Sequence, residues 1–213
     1  MAVRAESILT PSHGRVLIRD ASSTIALVGF HGYAQSADDM MDVLERVPGA
    51  AGCTLVSVQA LNRFYTRGDQ KIVASWMTRQ DREQAIADNI EYVDRALDGL
   101  GLPFIAVGFS QGVAMAYRAA LLGKKPAAGI VAIGGDVPPD VKNVPAERWP
   151  RVLIAAGATD QWYTAAKVAA DEAFLQGHGV AHEIYRHGAG HEVTADVLGA
   201  IGRHLSSASS RIT

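Results

Sequence analysis

Phe104-Ile105-Ala106-Val107-Gly108-Phe109-Ser110-Gln111-Gly112-Val113-Ala114-Met115-Ala116-Tyr117 is the stretch on which the reading of this chain turns. Four apolar residues give the run of a buried strand, and the residues after Gly112 give a helical pattern. Between them stands G-x-S-x-G. The two glycines mark a turn too tight for side chains at those positions, so the serine is lifted off the sheet on a strained strand-to-helix elbow. A motif of this kind needs its context, and here the strand before it and the helix after it agree.

A serine hydroxyl is a weak nucleophile until a base takes its proton, and the base in turn needs an orienting carboxylate. On an elbow of this type the partners follow in the chain order Ser, Asp or Glu, His. The run Val152-Leu153-Ile154-Ala155-Ala156-Gly157-Ala158-Thr159-Asp160 places Asp160 just past a strand end. The run Ala181–Arg186 leads into His187-Gly188-Ala189-Gly190-His191, with His191 expected to open the last helix. Ser110, Asp160 and His191 then all fall beyond the carboxyl ends of strands, where ligand crevices form in open α/β sheets. Among the 7 histidines, His187 is the rival base, since it shares the glycine loop. Asp136 is the rival acid but reads better as a turn or cap residue. A metal site built from His182, His187 and His191 is set aside, because Gly188 and Gly190 break the helical spacing such ligands use. For the oxyanion, the N–H of Gln111 follows the nucleophile. The strand Ile25–Phe30 ends in His31-Gly32-Tyr33, where Gly32 lets the N–H of Tyr33 approach the same point.

These motifs carry a resemblance. F-H-G-Y at 30–33, G-F-S-Q-G at 108–112, G-A-T-D at 157–160 and G-A-G-H-E at 188–192 resemble the phospholipase/carboxylesterase group of α/β-hydrolases, which includes acyl-protein thioesterases. Ala74-Ser75-Trp76 is similar to a tryptophan segment of that group. The resemblance covers nearly the whole chain and implies an α/β-hydrolase fold: a mainly parallel sheet of about seven strands, helices on both faces and no large lid. It implies hydrolysis of carboxylic esters through an acyl-enzyme, with no cofactor. Acyl-protein thioesterase or lysophospholipase activity is the alternative on the same scaffold. A non-catalytic binding protein, a different class, would be expected to lose a triad member. Many members carry a second glycine after H-G; this chain has Tyr33-Ala34-Gln35, which implies a narrower or differently shaped acyl pocket.

The chain of 213 residues, 48% hydrophobic, suits one α/β-hydrolase domain over 1–213. A formal net charge of −2 offers no basic field for nucleic acid or anionic membrane. Lone Cys53, in an apolar run, excludes an internal disulfide and a multi-cysteine zinc site. No apolar run reaches the roughly 18 residues of a membrane span, and residues 1–10 lack a secretory signal. The expected setting is cytoplasmic, the expected partner a small ester, and the chain a monomer or homodimer.

Strands are expected at Arg15–Arg19, Thr24–Phe30, Cys53–Val58, Ala127–Ile133, Arg151–Ala156 and Ala181–Tyr185, besides the elbow strand. Helices are expected at Asp38–Val47, Asp81–Leu97, from the elbow to Leu122, Ala165–Gln176 and His191–Ser206. Ser206–Thr213 is expected to fray. Gln59–Arg79 reads as a long connection bordering the site, so Phe64, Tyr65 and Trp76, with Tyr33 and Trp162, are the expected pocket wall. Gly134–Pro150 is too short and proline-rich for a substantial lid. An open cleft stops gaining once the acyl chain outruns it, so short to medium acyl esters are the expected substrates.

Overall fold

Strict alternation of apolar side chains divides the core between the two faces of a seven-stranded sheet. The computed structural model describes residues 3–210. In chain order the elements are β1 (Val16–Arg19), β2 (Ala26–Phe30), α1 (Ala37–Glu45), β3 (Thr54–Val58), β4 (Asn62–Tyr65), β5 (Ile72–Ser75), α2 (Arg82–Leu97), β6 (Phe104–Phe109), α3 (Gln111–Leu121), β7 (Ala127–Ile133), β8 (Arg151–Gly157), α4 (Ala165–Gly177), β9 (His182–His187) and α5 (Ala195–Ser209). The large sheet runs β1-β3-β2-β6-β7-β8-β9. β1 is antiparallel to β3, and every other pair in it is parallel.

Residues two apart share a face. Leu27, Leu55, Ile105, Val107, Val131, Ile133 and Leu153 point to one side, where Met40 and Leu44 of α1 and Val197, Ile201 and Leu205 of α5 cover them. Val28, Phe30, Phe104, Ala106, Ile130, Val152 and Ile154 point to the other, against Val93 and Leu97 of α2, Met115 and Tyr117 of α3, and Val168 and Leu175 of α4. Strands buried on both faces have no polar side to show, which is why they read as continuous apolar runs.

Strand connections leave β2 toward β3 in one direction and β6 toward β7 in the other. The order of the sheet therefore reverses between β2 and β6, and the crevice at that reversal is where their C-terminal loops meet.

Three expectations need correcting. The stretch 59–79 is not a plain connection but contains the β4–β5 hairpin, with Phe64 opposite Val73 and Tyr65 opposite Ile72. α5 begins at Ala195, not His191, because Thr194 caps it by accepting from the Val197 N–H. The residues before it are tied to the β8 loop instead, Thr159 N donating to Ala189 O. Ser206–Ser209 is helical rather than frayed: Ser206 and Ser209 donate to the carbonyls of Gly202 and Leu205, and Ala208 is buried. The rest of that expectation, at 211–213, lies outside the described residues. In the segment 134–150 two short 3₁₀ turns pin Val137, Val141, Val144 and Trp149 into the core, so it packs down as part of the body and forms no lid.

Candidate active site

The elbow is as tight as its glycines imply. A Cβ on Gly108 would lie 2.5 Å from the carbonyl oxygen of Gly112, and one on Gly112 would lie 2.0 Å from that of Phe30. Ser110 itself has φ 53° and ψ −118°, a left-handed backbone that a non-glycine residue adopts only when its surroundings impose it. Its N–H donates to Ile133 O at 2.8 Å, tying the elbow to the end of β7. The hydroxyl is thereby held at the N-terminus of α3, over the crevice.

The loops after β8 and β9 bring the other two polar residues to it. His191 Nε2 is 2.8 Å from Ser110 Oγ, and His191 Nδ1 is 2.7 Å from Asp160 Oδ2. The other oxygen of Asp160 accepts the N–H groups of Trp162 and Tyr163 at 2.8 and 2.9 Å. Burial pushes the Asp160 carboxyl up. The Tyr163 N–H, the His191 ring and the Trp162 N–H outweigh it and hold the group below the usual carboxylate range. A carboxylate that accepts three hydrogen bonds stays ionised and fixes the Nδ1–H tautomer of His191, leaving Nε2 free to take a proton from Ser110. Phe109, whose ring lies 5.1 Å from that of His191, packs against it.

The rivals are bonded elsewhere than to Ser110 or His191. Asp136 is exposed and pairs with Lys167 at 3.5 Å. His187 is buried at the end of β9, its carbonyl accepting from Ala158 N. The His182 ring is within hydrogen-bond reach of Val180 O. Among the described residues no three histidine, cysteine or acidic side chains are grouped to hold a metal.

The loop after β2 is pinned from both sides. The Gly32 N–H donates to Gln35 Oε1 at 2.7 Å. His31 Nε2 accepts from Ala60 N at 3.0 Å, so its proton is on Nδ1, which donates to Gly32 O at 2.7 Å. Burial lowers the His31 pKa, in keeping with a neutral ring. Among the described residues, no backbone partner takes the N–H of Tyr33. Gln111, the first residue of α3, likewise has no intrahelical acceptor. These are the two donors expected for an oxyanion.

Motif reading singled out Gln111 for its N–H alone and missed its side chain. Oε1 accepts from Trp76 N at 2.9 Å, and Nε2 donates to Met77 O at 3.0 Å, clamping the segment after β5 to the residue that follows Ser110. Only the spatial neighbourhood reveals this, because the partners are more than thirty positions away.

Above Ser110 opens a cleft of about 830 Å³, lined among others by Tyr33, Phe64, Met77, Ser110, Gln111, Trp162 and His191. Tyr33 and Phe64 face each other with ring centroids 5.7 Å apart. Two expected wall residues are corrected. Trp76 is 0% exposed: its ring packs at a tilt against those of Phe30 and His31, and its Nε1–H donates to His31 O at 2.8 Å, so it supports the site from beneath. Tyr65 alternates with Phe64 on the hairpin, which turns it to solvent and away from the cleft. Met77, Arg79, Arg82 and Lys167, which no motif marks, take places on the wall.

A match to the family model described as Phospholipase/Carboxylesterase spans residues 13–208. Among curated proteins, no sequence matches the chain. Among solved structures, a carboxylesterase of Bacillus cereus is similar at TM-score 0.71 and 19% identity, over 92% of this chain and 94% of that one. The acyl-protein thioesterase 2 of Zea mays is similar at TM-score 0.74 and 16% identity, over 92% and 99%. At such identities the likeness to these structures is one of fold, while the family match covers most of the sequence. No helix of the described residues is long and apolar enough to cross a membrane. The chain belongs to the phospholipase/carboxylesterase family of α/β-hydrolases and is a hydrolase acting on esters.

Proposed function

We propose that the protein is a carboxylesterase that works through Ser110, His191 and Asp160. The observation that carries this reading is the continuous hydrogen-bonded chain Asp160–His191–Ser110, at 2.7 and 2.8 Å, on the floor of the cleft. His191 Nε2 takes the Ser110 proton as Oγ attacks the ester carbonyl. Asp160 stabilises the imidazolium so formed, and the N–H groups of Tyr33 and Gln111 take the oxyanion. The tetrahedral centre collapses, the C–O bond to the alcohol breaks, and His191 returns the proton to the leaving oxygen. Water then enters with its proton passing to His191, and the acid leaves as Ser110 is regenerated. The residues need no metal or cofactor for these steps.

The open, lidless cleft favours short to medium acyl chains. Each buried CH₂ contributes about 0.8 kcal/mol, so selectivity stops rising where the chain leaves the wall formed by Tyr33, Phe64, Met77 and Trp162. A p-nitrophenyl ester series tests this: kcat/KM should peak at short to medium lengths. A steady rise to palmitate, or a rate jump above the substrate's micelle threshold, would mean a long acyl channel or a mobile cover. A fluorophosphonate should label Ser110 in the wild type and not in Ser110→Ala. Ser110→Ala should lower kcat by about 10³-fold or more, and near-normal turnover in the folded variant would overturn the reading.

A further inference from the structure

We infer that the cleft selects esters that carry an anionic oxygen group, a carboxylate or a phosphate, and that Arg79 and Arg82 receive it. This rests on the esterase reading and adds its substrate class. Both side chains are exposed and line the same cleft as Ser110. Among the described residues neither forms an ion pair. Among the described residues no neighbouring carboxylate pairs with either arginine. Asp140, whose charge Arg82 feels, gives both oxygens to Arg118 at 2.8 and 2.9 Å. Asp136 pairs with Lys167 at 3.5 Å in the cleft wall. Asp81 and Asp88 border the adjoining depression instead. The cleft wall thus carries surplus positive charge in a chain whose formal net charge is −2.

The fold supplies no reason of its own for these cations. Arg82 is the first residue of α2, where a positive charge opposes the helix dipole. Arg79 lies two residues past Met77, and the Met77 carbonyl is held by the Gln111 side chain at 3.0 Å. Its Cα is therefore within about 7 Å of a point fixed to the elbow, which keeps its side chain at the cleft that holds Ser110. Guanidinium groups present paired donors that match the oxygens of a carboxylate or phosphate. An ester whose remote anion reaches them is held with its carbonyl over Oγ; a neutral ester of the same length is not.

The test compares matched pairs at low ionic strength. On the acid side, the mono-p-nitrophenyl ester of adipic acid is set against p-nitrophenyl hexanoate. On the alcohol side, 1-butyrylglycerol 3-phosphate is set against 1-butyrylglycerol. In at least one pair kcat/KM should favour the anion by about tenfold, between what an exposed ion pair and a charge-assisted bidentate bond supply. Which pair responds tells whether the anion belongs to the acid or to the alcohol. The Arg79→Gln/Arg82→Gln protein should bring the ratio near one, the neutral ester measured in the same variant serving as the reference for any change in the cleft wall. Added salt should erode the preference in the wild type. If neither pair favours the anion, or if the preference survives in the double variant, the inference is overturned. Neutral-ester hydrolysis and fluorophosphonate labelling of Ser110 report separately on the esterase reading, so the two failures are distinguishable. For protein without turnover, binding of the adipate monoester to Ser110→Ala by calorimetry reads the same subsite, and binding unchanged by the arginine substitutions would equally refute it.

Discussion

Gly112→Ala separates the geometry of the elbow from its chemistry, because it adds one methyl group and alters no polar atom. The added Cβ would sit 2.0 Å from the carbonyl oxygen of Phe30 and 2.6 Å from that of His31, and side-chain carbons essentially never come within 3.0 Å of such atoms. Both contacts are backbone, so no rotamer change relieves them. The end of β2 and the start of α3 must part by about 1 Å. Those two segments carry the N–H groups of Tyr33 and Gln111, so the parting opens the proposed oxyanion hole directly. A misplacement of about 1 Å can cost roughly 10²-fold in rate. Overpacking of this kind also destabilises by about 1–3 kcal/mol. The expected outcome is a folded protein with kcat on p-nitrophenyl butyrate lowered by about 10²-fold, KM little changed, and a lower unfolding midpoint. The control is Gly190→Ala, beside His191, where the nearest heavy atom to an added Cβ is Thr159 Oγ1 at 3.5 Å. That variant should keep kcat within about threefold. A Gly112→Ala enzyme as active as wild type, or an equal loss in both variants, would refute the argument that backbone contact at the elbow sets the hole.

Three further outcomes are expected. Asp160→Asn should lower kcat by about 10²–10⁴-fold through loss of imidazolium stabilisation, while Asp136→Asn, whose carboxylate pairs with Lys167 in the cleft wall, should do little; swapped phenotypes would show the acid to be misassigned. Trp162→Ala should weaken kcat/KM selectively for longer acyl chains, whereas Trp76→Ala should mainly lower stability, by about 3–5 kcal/mol as for other buried aromatics; acyl-selective loss in Trp76→Ala with normal stability would place that residue on the wall after all. Burial pushes the Asp171 carboxyl above its ordinary range despite bonds from Val137 N and Tyr163 Oη, so the folded state binds its proton more tightly than the unfolded state; stability should therefore fall as pH rises from about 4 through the raised value, and Asp171→Asn should remove that slope in thermal unfolding, an unchanged slope assigning it to another group.

The parallel sheet was legible because burial on both faces leaves each strand a continuous apolar run bounded by polar turns. β6, β7 and β8 differ from expectation by a residue or two at most. The β4–β5 hairpin was not legible: Asn62-Arg63-Phe64-Tyr65 is largely exposed and carries no apolar periodicity, and it exists because Ile72–Ser75 pairs with it. His191 was misplaced onto a helix because Gly-Ala-Gly-His reads equally as a loop or a helix start. What decides is the bonding of that loop to the residues after β8, a contact between segments some thirty positions apart. The three polar residues of the site were legible for a simpler reason. Each follows a strand end, and parallel strands gather their C-terminal loops at one edge whatever lies between them.

The supporting shell is a different kind of information. Trp76 was singled out as an aromatic in a loop beside a site, which is equally the description of a pocket wall and of a brace. Its buried indole donates to His31 O, its own N–H donates to Gln111 Oε1, and its carbonyl accepts from Asn89 Nδ2 at 2.7 Å. It thus joins the loop after β2, the residue after Ser110, and α2. The two proposed oxyanion donors, Tyr33 and Gln111, sit on the two segments it holds together. His31 completes the brace, because its ring must stay neutral to accept from Ala60 and donate to Gly32 at once. If those N–H groups stabilise a developing charge as proposed, this buried network preorganises them together with the glycines above it.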